Sequence, residues 1–185
     1  MSLIYSEIGK EDIEAVADMA EQYLTHGTSI REAIIREAAR NNYHGVKALE
    51  DGKMVGFFTY KEGIDFTLPH PELEQKIRAL TQGGIIFNCD AIFVNDAYRH
   101  KGLGEEMTRR AVSSMRKMGG RYFLFELWIY PNGKIPALNM TEKSLEIIFD
   151  ERVELFYKDL PRYGMTCPIC GANCRCGALI RVFSL

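Results

Sequence analysis

No apolar run in these 185 residues approaches the roughly 20 needed for a helix to cross a bilayer, so no membrane partner is expected. The residues after Met1 lack a basic region followed by an apolar stretch, which argues against a secretory leader. Neither sign of charge is in large excess. The 23 Lys and Arg face 25 Asp and Glu, a net charge of -2, so no global field draws the chain to nucleic acid or anionic lipid. Before residue 167 the only cysteine is Cys89; the other four are Cys167, Cys170, Cys174 and Cys176. An odd count without a leader argues against a disulfide framework and points to a reducing, cytoplasmic compartment. Repeats, low-complexity tracts and Pro/Ser-rich linkers are missing too. Residues 1–185 are therefore read as a single domain with a Cys-rich C-terminal loop at 164–177.

The elements that are present alternate in type. Residues Leu3 to Ile8 suit a first strand. Ile13, Val16, Ala17, Ala20 and Leu24 recur at helical spacing. Ser29 with Glu32 forms a capping-box pattern ahead of a second helix carrying Ile30, Ala33, Ile34 and Ala38. Asp51-Gly52 between Val46–Glu50 and Lys53–Phe58 signals a hairpin, because that pair tolerates positive φ. Pro69 and Pro71 break the next segment, and Glu72 to Leu80 reads as a short helix. Gly84–Val94 and Tyr122–Ile129 are apolar enough to be strands buried on both faces. Between them lie a polar turn and a helix carrying Met107, Ala111, Met115 and Met118, ended by Gly119-Gly120. Asp150 is placed to cap a helix carrying Val153, Phe156, Tyr157 and Leu160, and Ala178–Leu185 closes the chain as a strand. The order is mixed α/β, with a parallel βαβ unit from Gly84 to Ile129.

Arg99-His100-Lys101-Gly102-Leu103-Gly104 follows a strand ending in Ile92-Phe93-Val94 and opens a helix. Amides at a helix N-terminus lack intrahelical partners and sit at the positive end of the dipole, and glycines let a phosphate approach. A solvated strand-to-helix turn accounts for the same residues. The loop is no P-loop, since Gly-Lys-Ser/Thr is missing, and no dinucleotide fingerprint, since a third glycine is missing. Arg99-x-x-Gly102-x-Gly104 resembles the Arg/Gln-x-x-Gly-x-Gly/Ala signature of GNAT acyltransferases. Lys53-Met54-Val55-Gly56-Phe57 resembles the family's hairpin strand, and Asp150-x-x-Val153-x-x-Phe156-Tyr157 its Asn-x-x-Ala-x-x-Leu-Tyr helix. The likeness runs over roughly residues 3 to 165. It departs at Asp150, where the family has Asn, and in the stretched ending from Tyr157 to Met165.

The resemblance implies a central mixed, mostly antiparallel sheet with a splayed parallel strand pair and flanking helices. It implies acetyl-CoA as co-substrate, with its pantetheine beside the backbone of Phe93 and Val94. The pyrophosphate would lie over the amides of His100, Lys101, Gly102, Leu103, Gly104 and Glu105, with Arg99 nearby. The acceptor would be an amine of a small molecule or a protein. Such an amine, with a pKa of about 10.4, must lose a proton before it attacks. Asn88 and Asp90 share a strand face with Ile92 and Val94 by the period of two. Asp90 can ionise, and it is the candidate base; an Asp hydrogen-bonded near the splay is the bland alternative. A lone Asp in an apolar strand is costly unless it has a role or a partner. By resemblance Tyr157 protonates the leaving sulfur, with Tyr163 as the fallback; a core tyrosine on an amphipathic helix is the alternative. Family members often pair, so a homodimer is compatible. A non-catalytic module that senses acyl-CoA or binds a partner is the rival function. The acidic balance argues against a nucleic-acid binder.

Cys167-Pro168-Ile169-Cys170-Gly171 looks like a zinc-knuckle half-site, and Cys174-Arg175-Cys176 could complete four sulfurs for structural zinc. Reduced thiols or a disulfide stay open as alternatives. Trp128 reads as core or pocket wall, and His26, His44 and His70 as surface or turn residues.

Overall fold

The computed structural model describes residues 3–23, 29–39, 42–138 and 144–185. Seven strands form one sheet in the order β1-β2-β3-β4-β5-β7-β6. They are β1 (Ile4–Glu7), β2 (His44–Glu50), β3 (Lys53–Glu62), β4 (Ile86–Val94), β5 (Tyr122–Ile129), β6 (Ile147–Val153) and β7 (Gly177–Ser184). Among the described residues four α-helices flank it: α1 (Ile13–Tyr23), α2 (Ser29–Ala39), α3 (Pro71–Thr81) and α4 (Leu103–Lys117). All pairings are antiparallel except β4 with β5. The mixed, mostly antiparallel sheet with one parallel pair is the architecture expected.

Local chemistry explains most elements. The β2–β3 hairpin turns on Asp51 and Gly52, at φ 49° and 76°, a reversal that matches strand twist. Pro71 opens α3, where its missing N–H costs nothing. Alternation on β3 sends Phe57 to one face and Phe58 to the other. Phe57 packs with Val16, Ala17, Ala20 and Ile34 of α1 and α2. Phe58 packs with Met107, Ala111 and Met115 of α4. Of the expected core positions, Val16, Ala17 and Ala20 of α1 and Met107, Ala111 and Met115 of α4 are buried and Ile13 is partly buried, while Met118 lies past the end of α4 and is exposed. Leu24 and His26 lie outside the described residues, and the capping side chain of Ser29 is likewise not described. α3 places Leu73 and Ile77 with Leu124, Ile180 and Val182, on the α1/α2 face of the sheet.

One element differs. The helix expected from Asp150 is a strand: β6 pairs antiparallel with β7 from Ile147 to Val153. Arg181 Nη2 donates to Asp150 Oδ2 at 2.8 Å, so Asp150 is a cross-strand ion-pair partner and caps no helix. The Ile147-Ile148-Phe149 run favours a pleated surface, and the charges that follow blunt an edge strand. After β6 the chain passes through turns, with Leu155 at φ 52°, and a 3-10 turn at Leu160–Tyr163.

Candidate active site

The β4–β5 ladder is only three residues long: Ile86 pairs with Tyr122, Phe87 with Phe123 and Asn88 with Leu124. Beyond Asn88 the strands part, and β5 continues paired to β7 alone. The cause lies in β4. On β3, Thr59 and Tyr60 are adjacent, but they face Ala91 and Cys89, so Asp90 is the extra residue of a β-bulge. A bulge bends its strand and re-aims a side chain. It also breaks strict alternation. Cys89, Ile92 and Val94 pack with the α4-side core, whereas Ala91 and Phe93 pack with α1 and α2. Asp90 does not share the face of Ile92 and Val94, which corrects the expectation drawn from period two. Lys61 Nζ donates to Asp90 Oδ1 at 2.9 Å and to Asp65 Oδ2 at 2.6 Å, and Asn88 Nδ2 donates to the Asp65 carbonyl at 2.9 Å. Burial works against the Lys61 ammonium, but Asp90 and Asp65 outweigh it and raise its pKa.

The parted strands open a cleft of about 610 Å³. Asp90 and Ala91 contribute from β4, Glu126 and Trp128 from β5, and Tyr43, Lys61 and Thr67 line it from neighbouring segments. Tyr157 reaches the same cleft, although it rides on a turn rather than a helix. Its side chain is 1% exposed and stacks on the Trp128 indole at 4.1 Å between ring centroids. Its hydroxyl donates to Glu126 Oε1 at 2.7 Å, and the Thr67 amide donates to Oε2 at 2.9 Å. Burial raises the Glu126 pKa against the opposing pull of those two donors. Burial, then the Glu126 charge, pushes the Tyr157 phenol well above its ordinary value, so it stays protonated at neutral pH. Tyr163 also borders the cleft but is half exposed, at its rim. Trp128 is the pocket wall expected of it.

Glu126 is the residue that sequence reasoning passed over. It is the one carboxylate in Tyr-Phe-Leu-Phe-Glu-Leu-Trp-Ile, and a charge in so apolar a strand is costly unless it is satisfied. The argument that singled out Asp90 applies to it with equal force. Among the described residues five carboxylates line the cleft (Glu32, Glu37, Asp65, Asp90 and Glu126) against two cations, Arg36 and Lys61. That balance favours a positively charged visitor.

At the far end of β4 the loop turns into α4. His100 and Gly102 take φ 60° and 80°. Gly102 has open space around the position of a Cβ, so conformation calls for glycine there, while the openness leaves room for a ligand. The Glu106 amide donates to the Gly102 carbonyl at 3.0 Å, which leaves the Leu103 and Gly104 amides ahead of it without an intrahelical acceptor. Leu103 is buried and anchors the helix, so only its backbone can serve a ligand. Lys101 Nζ lies 5.3 Å from the Tyr98 ring centroid. Arg99 braces the loop: Nε donates to the Val94 carbonyl at 3.0 Å and Nη2 pairs with Asp96 at 2.7 Å. The Val94 carbonyl is thus already engaged.

A family model described as the acetyltransferase (GNAT) family matches residues 12–146. The chain belongs to this family. No curated protein matches the chain in sequence. Among solved structures, Arabidopsis thaliana NAA60 in complex with acetyl-CoA superposes with a TM-score of 0.68 at 14% identity, over 100% of this chain and 99% of the other. A putative GNAT acetyltransferase from Desulfovibrio desulfuricans gives 0.62 at 16%, over 99% of each chain. The putative acetyltransferase yncA from Salmonella typhimurium, solved with its cofactor acetyl-CoA, gives 0.63 at 11%, over 100% and 95%. At these identities the likeness is one of fold. GNAT membership makes the chain an acyltransferase, and the open space at Gly102, the helix-start amides without an intrahelical acceptor and the strands parted beyond Asn88 fit a CoA thioester.

Proposed function

We propose that this GNAT protein is an N-acetyltransferase that moves the acetyl group of acetyl-CoA directly to a primary amine of a small molecule or a protein. The observation that carries the reading is the hydrogen-bonded Tyr157–Glu126 pair in an acidic cleft at the strand splay. The donor assignment is supported by the acetyl-CoA held in the NAA60 and yncA structures.

The His100–Glu105 backbone would take the pyrophosphate, with Lys101 adding charge. Phe93 and Val94 would flank the pantetheine, which lies along the parted strands. Binding holds amine and thioester together, a large part of the rate advantage. The five carboxylates draw in the ammonium form of the acceptor. Glu126, with its pKa raised, is suited to take a proton from it. The ion pair with Lys61 already engages Asp90, so we assign Glu126 the base and Asp90, the base expected from sequence, the anionic wall that orients the amine. The amine nitrogen then attacks the thioester carbonyl, the C–N bond forms and the C–S bond breaks. Tyr157 gives its hydroxyl proton to the departing sulfur and recovers one that Glu126 takes from the attacking nitrogen, so of the two protons the ammonium loses, the first passes through Glu126 to solvent and the second ends on the thiol.

A panel of small amines and peptide N-termini, scored by free CoA release from acetyl-CoA, tests the reading. Turnover confined to cationic amines supports it. Tight CoA binding without turnover across the panel would favour the non-catalytic acyl-CoA sensor.

A further inference from the structure

The four C-terminal cysteines take no part in the proposed chemistry of acetyl transfer. Their sulfurs all lie within 4.8 Å of one another. Cys176 Sγ is 3.8 Å from Cys167 Sγ and 3.5 Å from Cys170 Sγ. A tetrahedron of thiolates around zinc at about 2.3 Å has sulfur–sulfur edges of about 3.8 Å. A four-iron cluster spreads its thiolates wider, each on its own iron.

The backbone is shaped to the same end. The Cys170 amide points at Cys167 Sγ and the Cys176 amide at Cys174 Sγ, each at 3.4 Å. Gly171, at φ 70°, lets its amide return to the Cys167 carbonyl at 2.9 Å, closing a tight hook around two of the sulfurs. Amides aimed at sulfur suit thiolates, since N–H groups stabilise their charge. The Trp128 indole Nε1 is buried, short of good hydrogen-bond geometry and beside Cys176, so a thiolate there would draw it into a full hydrogen bond. Lys158 and Arg175 border the loop and offset the negative charge of four thiolates around a divalent ion. The segment 164–177 has Met165, Ile169 and Ala172 as its only conventional apolar residues besides cysteine, too few to order it against about 1–2 kcal/mol per residue of backbone entropy.

We infer that Cys167, Cys170, Cys174 and Cys176 bind one structural Zn²⁺, and that this metal fixes the wall of the acceptor cleft. Binding displaces four thiol protons to solvent and involves no redox change. Four thiolates leave no open position for water, so the ion takes no part in the chemistry. Its reach into the cleft is direct. Met165, Pro168 and Ile169 line the cleft, Ile169 is 48% exposed there, and the Tyr157 amide donates to the Cys176 carbonyl at 3.4 Å. The metal site stands by itself; the role in acceptor binding rests on the acetyltransferase reading.

Elemental analysis of the full chain, purified without added metal and counting zinc and iron together, decides the first part. The expected result is about one zinc per chain, with the loop thiols unreactive until a chelator is added. Zinc near zero with four freely titrating loop thiols, or iron in its place, would overturn it. Neither readout depends on activity. Fluorescence tests the coupling, because Trp128 is the only tryptophan in the sequence and borders both Cys176 and Tyr157. Chelation should shift its emission and raise the acceptor KM severalfold, while CoA affinity stays put. Zinc loss that leaves both the emission and the KM unchanged would refute the link to the cleft.

Discussion

The loop from Arg99 to Gly104 and the cleft beyond Asn88 lie along one strand, but they offer different things to a ligand. The loop offers backbone: two residues at positive φ, open space at Gly102, and the amides at the start of α4. The cleft offers side chains gathered from distant segments: Glu126 from β5, Asp90 from a bulge in β4, and Tyr157 from a turn after β6. A backbone site is written in a short contiguous stretch. A side-chain site depends on how remote strands pair, so its members can be displaced in sequence while the chemistry holds.

If that division is right, substitutions in the cleft should change rate and substitutions in the loop should change donor affinity. The largest effect is expected at Glu126. Glu126→Gln should lower kcat by about 10²–10⁴, the usual contribution of a positioned base, while CoA affinity is preserved. The pH profile sharpens this. Burial raises the Glu126 pKa above its ordinary 4.5, and the working form is the carboxylate. The wild-type rate should therefore climb with pH through a midpoint above 4.5, and the Gln variant should lose that limb. An unchanged limb in the variant would assign the titration elsewhere.

A middling effect belongs to the loop. Gly102→Val forces a β-branched residue to hold φ 80°, a strain of about 1–3 kcal/mol. That corresponds to a loss of CoA affinity of roughly 5- to 150-fold if the loop must keep its shape to bind, read by calorimetry. Wild-type affinity in the folded variant would remove the loop from the donor site. Asp90→Asn should do least. With Lys61 still held by Asp65 at 2.6 Å, a rise in acceptor KM is expected with kcat nearly kept. A collapse of kcat comparable to that of Glu126→Gln would return the role of base to Asp90.

The sequence was most legible where cause and effect are local. Asp51-Gly52 announced its hairpin, and Arg99-x-x-Gly102-x-Gly104 announced a strand, a turn and a helix, all of which the fold contains. It was least legible from Asp150 onward. The spacing of Val153, Phe156, Tyr157 and Leu160 suits a helix, yet residues 147–153 are claimed by β7, some thirty positions on. Local periodicity carries no information about such a partner. The bulge at Asp90 was hidden for a similar reason, since it exists only in the register between two strands. Glu126 was not hidden. Its isolation among apolar neighbours was visible, and only the assumption that one carboxylate would suffice passed it by.

The separation of donor loop from acceptor cleft can be measured in one double-mutant cycle. Acetyl transfer to a cationic amine would be followed as kcat/KM in the wild type, Gly102→Val, Glu126→Gln and the double variant. Distant sites without shared partners add to within about 0.3–0.5 kcal/mol. The prediction is additivity within that margin, with wild-type transfer clearly detectable. Absence of transfer by the wild type, or coupling of about 1 kcal/mol or more between the two sites, would contradict a molecule that binds its donor with backbone and does its chemistry with the Tyr157–Glu126 pair.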